Sequence, residues 1–379
     1  MTSEVDPMNP TMNRRNYLKS SLALGSSLLL PAGVIALAGC SGTAREHGIA
    51  AFDGKIMGTG YSVLTTGQQA MQADAQAGVQ ADVQPGEELG QRIHAVLQDV
   101  DTHMSTWRND SELSRFNASE DGDWQPMTSR TLDVIAHALQ TSKASEGAFD
   151  ATVEPLVSLW GFGAQATGSG TGSTSSRPTR EAISRTLGQI GFDAIDVDLA
   201  AGAVRKHTTT AQLDLSGIAK GHAVDRLAQL LDLEGHENYL VEVGGELRSK
   251  GRKPDGSGWR VAIERPDVGR RGVYKAVDLD NRAIATSGNY RNFFDYNGTR
   301  YSHSIDPRTG QPVNHALASV SVIADTTMQA DALSTALMIM GPEQGMAFAE
   351  QHQVTAHMIT RQGEALVEQH SPLFAALAG

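Results

Sequence analysis

Cysteine is almost absent from this chain: Cys40 is the single one among 379 residues. That excludes internal disulfides and cysteine-ligated metal centres, so any metal must be held by other groups. Positive charge is short as well, with 31 lysines and arginines against 43 aspartates and glutamates. Setting residues 1–39 aside removes three basic and two acidic side chains and leaves 28 against 41, a net of about −13. Such a surface repels phosphate polymers; no nucleic-acid partner is expected, and a phosphate ligand would have to be small and locally neutralised. A Walker phosphate loop is missing too, since "DLSGIAKGHAVD" (214–225) lacks the glycine-lysine-serine ending that cradles a triphosphate. No long proline-rich or single-charge linker divides the chain, so the roughly 340 residues from Cys40 onward read as one large domain with two lobes.

What is present begins with "NRRNYLKSSLALGSSLLLPAGVIALAGC" (13–40). Arg14 and Arg15 form a basic start, and the apolar stretch Leu22 to Ala38, interrupted by Gly25, Pro31 and Gly33, is too short and uneven for a spanning helix. The segment resembles a twin-arginine export signal, and "LAGC" resembles a lipobox whose cysteine is lipidated and becomes the new N-terminus. Residues 1–39 are therefore expected to be an export signal, Cys40 a lipidation site, and 40–50 a tether. The protein would then be anchored by lipid to a membrane of the bacterial envelope, facing the periplasm. The alternative is a buried structural cysteine behind a chance apolar leader.

Past the tether, "AFDGKIMGTGYSVLTTG" reads as two strands about a glycine turn. Residues 67–90 are polar, rich in alanine and glutamine and mostly without strong periodicity, which predicts an inserted surface loop; helical periodicity resumes through Leu89, Ile93, Val96, Leu97 and Val100. A second helix is expected over "MTSRTLDVIAHALQTSKASEG", with Ser129 as N-cap and Gly147 as stop. The Gly/Ser-rich run 164–180 predicts another surface loop. Next come a short helix near 180–191, strands near 194–198 and 203–206, a strand ending at Asp214, a helix starting near Ala219, and strands clustered between 238 and 325. Helices and strands alternate only loosely. That pattern predicts an α+β fold, mixed sheets with packed helices, and not a doubly wound array.

Chemistry-bearing residues fall in three places. In "ADALSTALMIMG" (330–341), Leu333, Ala336, Leu337 and Met340 share one side at 3.6 residues per turn, Gly341 is placed to end the helix, and Asp331 and Thr335 stand on the opposite side. Two hard oxygens one turn apart suit Mg2+, completed by a backbone carbonyl, water and substrate phosphate. An Asp favouring the helix dipole and a Thr bonded back to its own helix would look the same. In the 214–225 turn, a glycine corner at Gly217 and a helix N-terminus would present backbone groups with Lys220 alongside, either a phosphate contact or a solvated lysine. In "GNYRNFFDYNGTRYSHSIDPRTG" (288–310), aromatic groups could hold a planar ring, and His303 is either a proton carrier or a histidine hydrogen-bonded in place.

These pieces occur together and in one order. "MGTGYSV", "MSTWRNDSELSRFN", "GAFDATVEPLVSLWGFG", "DLSGIAKGHAVDRLA", "YLVEVGGELRSKG", "AIATSGNYRNFF", "YSHSIDPRTGQPV" and "ADALSTALMIMG" resemble the FAD:protein FMN transferase (ApbE) family of flavin-trafficking lipoproteins, over about residues 52–363. The resemblance implies a transferase that binds FAD with Mg2+, attaches FMN through a phosphodiester to a threonine of an acceptor flavoprotein subunit of a membrane redox complex, and releases AMP. Matched residue by residue, it implies metal ligation by Asp331, Thr335 and the backbone carbonyl of Gly217. It implies FAD contacts from Met57, Trp107, Ala148, Phe149, Asp150, Asp214, Lys220 and Ile305, and catalytic roles for His303 and Asp331, either of which could be the general base. The metal would draw charge from the diphosphate, and the rest of phosphoryl transfer rests on positioning. His222 stands where the family often has an aromatic, and the insertion at 67–90 is long, so the acceptor-docking surface is expected to differ. Two other activities stay compatible with the sequence: hydrolysis of FAD to FMN and AMP, and non-catalytic FAD storage, although a pure binder would not need both Asp331 and Thr335.

Overall fold

A hairpin opens the computed structural model, which describes residues 48–66, 85–163, 177–267, 272–290, 293–296 and 299–378. The expected signal, Cys40, the tether up to residue 47, and most of the two expected loops (67–84 and 164–176) lie outside the described residues. Strands β1 (Ile49–Ile56) and β2 (Thr59–Thr66) pair about Met57 and Gly58, at φ 53° and 71°. Left-handed dihedrals at both central residues are what a type I′ turn requires. β1 therefore begins two residues inside the expected tether. Helix α1 (Pro85–Met104) likewise takes in the end of the expected 67–90 loop, because a proline and Glu87 and Glu88 favour a helix start just ahead of Leu89.

Helix α2 (Glu112–Ala118) is capped by Ser111, whose Oγ accepts the Ser114 N–H at 2.9 Å. After β3 (Gln125–Pro126) comes α3 (Ser129–Ala144), with Thr128 and not Ser129 in the cap position. The Thr128 hydroxyl makes no cap bond; Glu112 takes it at 2.8 Å, along with the Thr128 N–H. Helices α4 (Glu154–Leu159) and α5 (Arg180–Leu187) precede β4 (Ile195–Asp198) and β5 (Ala203–Lys206). The strand expected to end at Asp214 is not one, because its ladder partner is a side chain. Asn117 Nδ2 donates to Leu213 O, and Leu213 N–H donates to Asn117 Oδ1, both at 2.8 Å.

The chain continues through α6 (Ala219–Leu233), β6 (Asn238–Val243), β7 (Glu246–Lys250), β8 (Arg260–Glu264), β9 (Val273–Asp278), β10 (Ala283–Gly288) and β11 (Phe293–Tyr296). It ends with β12 (Thr299–Ser302), β13 (Ile305–Asp306), β14 (Gln311–Pro312), β15 (Leu317–Ala324), α7 (Thr327–Gln351), β16 (Thr355–Gln362), β17 (Ala365–His370) and α8 (Pro372–Ala378). The main sheet runs β1-β2-β6-β7-β10-β15-β16-β17, with every neighbour antiparallel. The fold is α+β, as expected, with stricter pairing than a mixed sheet, since each excursion from the sheet returns to the strand beside the one it left. Among the described residues, no helix is long and apolar enough to cross a membrane.

The first part of α7 lies between α6 and strands β10 and β15. Ala332 and Ala336 join the apolar cluster that includes α6, while Leu337 and Met338 join the one on the sheet. Of residues 327–341 only Gln329 is exposed, and Asp331 is 2% exposed. Gly341 breaks it as expected (φ 79°, ψ −178°), but Pro342 starts a second helical segment that runs to Gln351. Helices α6 and α7 touch at Gly221, where a Cβ would overlap the Thr327 carbonyl.

At this contact the two helices cap each other. The Gly221 N–H, an orphan donor in the first turn of α6, donates to Asp331 Oδ2 at 2.9 Å. In return, Asp225 of α6 accepts the Thr327 N–H and hydroxyl, each at 3.0 Å, and the Met328 N–H at 2.9 Å, at the start of α7. Asp225 also pairs with Arg248. Asp225→Ala would strand all of these donors and is expected to lower unfolding free energy by about 2–4 kcal/mol. A denaturant midpoint within error of wild type would show that the cap from Asp225 contributes nothing.

Candidate active site

A cavity of about 310 Å³ opens where the excursions meet. Its walls come from the segment after α3, the turn before α6, the β6–β7 turn, the end of β10, residues 303–307 and α7. Of the residues expected at the site, Ala148, Phe149, Asp150, Asp214, Gly217, Lys220, His303, Ile305, Asp331 and Thr335 all line it. Met57 and Trp107 do not: Met57 packs from the first hairpin turn against the core cluster that includes α6, and Trp107 is 65% exposed after α1.

Local hydrogen bonds set each wall. Helix α3 ends through Glu146 and Gly147 at φ 51° and 76°, and Ser145 Oγ then accepts the Phe149 N–H at 3.0 Å. Asp150 Oδ1 accepts the Thr152 N–H and hydroxyl at 2.8 and 2.7 Å, and Oδ2 the Phe192 N–H at 3.2 Å. Burial raises the Asp150 carboxyl above its ordinary range against the pull of these bonds, so this side chain shapes the segment. Asp214 N–H donates to Ala151 O at 2.8 Å and Asp214 Oδ1 accepts the Ser216 N–H at 2.7 Å, which locks the two segments together. The resulting corner brings Gly217 against α7: a Cβ there would sit 3.3 Å from Thr335 Oγ1 and 3.2 Å from the Phe149 ring.

Lys220, in the first turn of α6, has three oxygen neighbours. Its Nζ lies 3.4 Å from Glu246 Oε1 and 3.5 Å from Asp331 Oδ2, and donates to Ser216 O at 3.2 Å. Burial works to lower the ammonium, but the two carboxylates outweigh it and hold Lys220 above the usual lysine range. Glu246 is pushed up to about 7, first by burial; Asp331 adds to this, and the Lys220 charge pulls back. On the other side, His303 meets the edge of Phe162 at 6.4 Å, and Ile305 packs with Leu156, Trp160 and Phe294. Of the aromatics expected to hold a ring, Phe294 and Tyr301 are used in this wall, stacked at 5.2 Å, while Tyr290 lines the cavity.

Two residues escaped sequence reasoning. Glu246 follows a Gly244–Gly245 turn with φ 66° and 109°, and that Gly-Gly pair ahead of a lone acid was the available signal. Ser287, near the end of β10, places its Oγ 3.3 Å from Thr335 Oγ1 and 2.9 Å from Ser334 Oγ. Among the described residues, no group of three or more His, Cys, Asp or Glu side chains could hold a metal. What the cavity gathers about the glycine corner at Gly217 is the Asp331 carboxylate and the Thr335 and Ser287 hydroxyls. That hard, sparse oxygen set fits Mg2+, which keeps waters and shares its shell with substrate phosphate.

Beside Asp214, Glu154 is pushed up to about 7 by burial and by the Asp214 charge, with a 2.7 Å bond from Ser158 Oγ pulling back. A carboxyl raised on folding contributes stability that is present below its unfolded value and lost as pH rises through about 7. Glu154→Gln is therefore expected to gain stability relative to wild type between pH 5 and pH 8. Urea unfolding at the two pH values checks this, and a constant difference would refute it.

Residues 57–359 match the ApbE family. The chain is 39% identical over 360 residues to an FAD:protein FMN transferase of Vibrio cholerae, spanning 95% of this chain and 98% of that protein. It is 35% identical over 335 residues to an FAD:protein FMN transferase of Escherichia coli K12, spanning 87% and 90%. Among solved structures it is similar to the apo form of the Pseudomonas stutzeri flavinyl transferase ApbE, with 40% identity and a TM-score of 0.75 over 87% of this chain and 97% of that one. The chain belongs to the ApbE family.

Proposed function

We propose that this protein is a Mg2+-dependent FAD:protein FMN transferase that attaches FMN by a phosphodiester to a threonine hydroxyl of an acceptor flavoprotein and releases AMP. The observation that carries this is the meeting of Asp331, Thr335, Gly217 and Lys220 in one cavity, in a chain whose relatives are named FAD:protein FMN transferase. Asp331, Thr335 and the Gly217 carbonyl would hold Mg2+, which when bound draws negative charge from the diphosphate. Lys220 adds positive charge beside it, together with the positive end of the α6 dipole. Phe149, Val153, Val157 and Ile305 offer apolar surface to a ring.

The acceptor hydroxyl oxygen attacks the phosphorus on the riboflavin side. The bond from that phosphorus to the bridging oxygen breaks, and AMP leaves with that oxygen and its electron pair. His303 takes the hydroxyl proton, because Asp331 Oδ2 is already engaged by the Gly221 N–H and the Lys220 ammonium. The nucleophile belongs to the acceptor, so this chain needs none of its own. The protein would act on the periplasmic face of a bacterial envelope, held by lipidated Cys40, with acceptors among the flavoprotein subunits of membrane redox complexes; the export-signal and lipobox patterns support this.

The test incubates the protein with FAD, Mg2+ and an acceptor domain, then follows in-gel flavin fluorescence and AMP. Covalent labelling with matching AMP is expected. Asp331→Ala should slow both by roughly 100-fold or more. AMP without labelling would make the protein a FAD pyrophosphatase, tight FAD binding without either product would make it a storage protein, and full activity of Asp331→Ala would overturn the metal ligands.

A further inference from the structure

Glu246 takes no part in the chemistry so far, yet it lines the cavity with a side chain only 5% exposed. It opens β7, opposite Val243 across the hairpin turn, so the sheet fixes its backbone. Its Oε1 faces Lys220, while Oε2 is buried with no hydrogen-bond partner among the described residues. A carboxylate so placed is costly unless a charge beside it compensates, and here that charge is the Lys220 ammonium. Gly244 gives both side chains room: a Cβ there would lie 3.1 Å from Lys220 Cδ and 3.2 Å from Glu246 Oε2.

The two anionic neighbours of Lys220 have different prospects. Asp331 already accepts the Gly221 N–H and is the carboxylate proposed to ligate Mg2+. A divalent cation there would take up the Asp331 charge and repel the Lys220 ammonium, which lies 3.5 Å from Asp331 Oδ2. With Asp331 so engaged, a lysine left with the neutral Ser216 carbonyl alone would swing out to solvent on its flexible stem. Glu246 has no such second use, and its strand holds it in place. We propose that Glu246 is a positioning residue that retains Lys220 at the cavity once Asp331 is shared with the cation. This rests on the ligand assignment made above. Without Glu246, ammonium and cation compete for one carboxylate, so metal affinity itself reports the effect, apart from turnover.

The test titrates Mn2+, as the probe for Mg2+, into the full chain without FAD and follows free Mn2+ by EPR. Wild type, Glu246→Gln, Lys220→Met and the double variant are compared, with Asp331→Ala marking the site. Glu246→Gln is expected to weaken Mn2+ binding about tenfold when Lys220 is present, and less than about twofold in the Lys220→Met background, where the competitor is gone. Equal weakening in both backgrounds, or none in either, overturns the proposal and leaves the ligand assignment standing. Lack of any Asp331-dependent Mn2+ site in wild type overturns both. Should Glu246→Gln fail to fold, Glu246→Ala is read in the same way.

Discussion

Two helices that exchange caps hold the cavity together. Helix α6 has no N-cap side chain of its own, and one of its orphan N–H groups is satisfied by Asp331 from α7. The start of α7 is satisfied in turn by Asp225 from α6. Both sets of bonds cross one interface, at a contact that only Gly221 allows, so sliding either helix would break both together. Asp331 is therefore oriented before any ligand arrives, which is the condition under which a buried charge can act without reorganising.

The charges around Lys220 follow from that arrangement. Lys220 immediately precedes Gly221, so capping Gly221 with Asp331 also sets the ammonium beside the same carboxylate, while the β6–β7 turn supplies Glu246 from the other side. Two carboxylates about one ammonium leave the corner poor in positive charge for a diphosphate. The chain as a whole carries an acidic excess as well, 43 acidic against 31 basic side chains. The hydroxyls of Ser287 and Thr335 and the glycine corner at Gly217 supply neutral oxygen and close approach without adding to the excess.

What could be read from the sequence was what is local. Asp331 and Thr335 are one helical turn apart, so their shared face needs only periodicity, and Gly217 and Lys220 sit on a strand-like run, a glycine and a helix start that are contiguous. The α+β class followed from element order for the same reason. Long-range partners were not legible. Asn117 stands in for a strand against Leu213 from 96 residues away, which makes the segment ending at Asp214 look like a strand in isolation. The apolar run 330–341 reads as a buried helix, but which neighbours close over Asp331 does not show in it, because those come from α6 and the sheet. Glu246 reads as an ordinary strand residue until the fold lays Lys220 against it. The aromatic run 288–310 promised a ring site, whereas Phe294 and Tyr301 are spent on Trp160 and on each other.

Each departure from the main sheet comes back to the adjacent strand, and this has a consequence for how the scaffold can vary. Such a connection can grow or shrink without shifting the register of any other strand, and the entropy of closing it rises by only about 0.6 kcal/mol for each doubling in length. Length can thus change in any excursion without disturbing the sheet, provided that the stretches walling the cavity, 148–150, 214–220, 303–307 and the first part of α7, keep their own geometry.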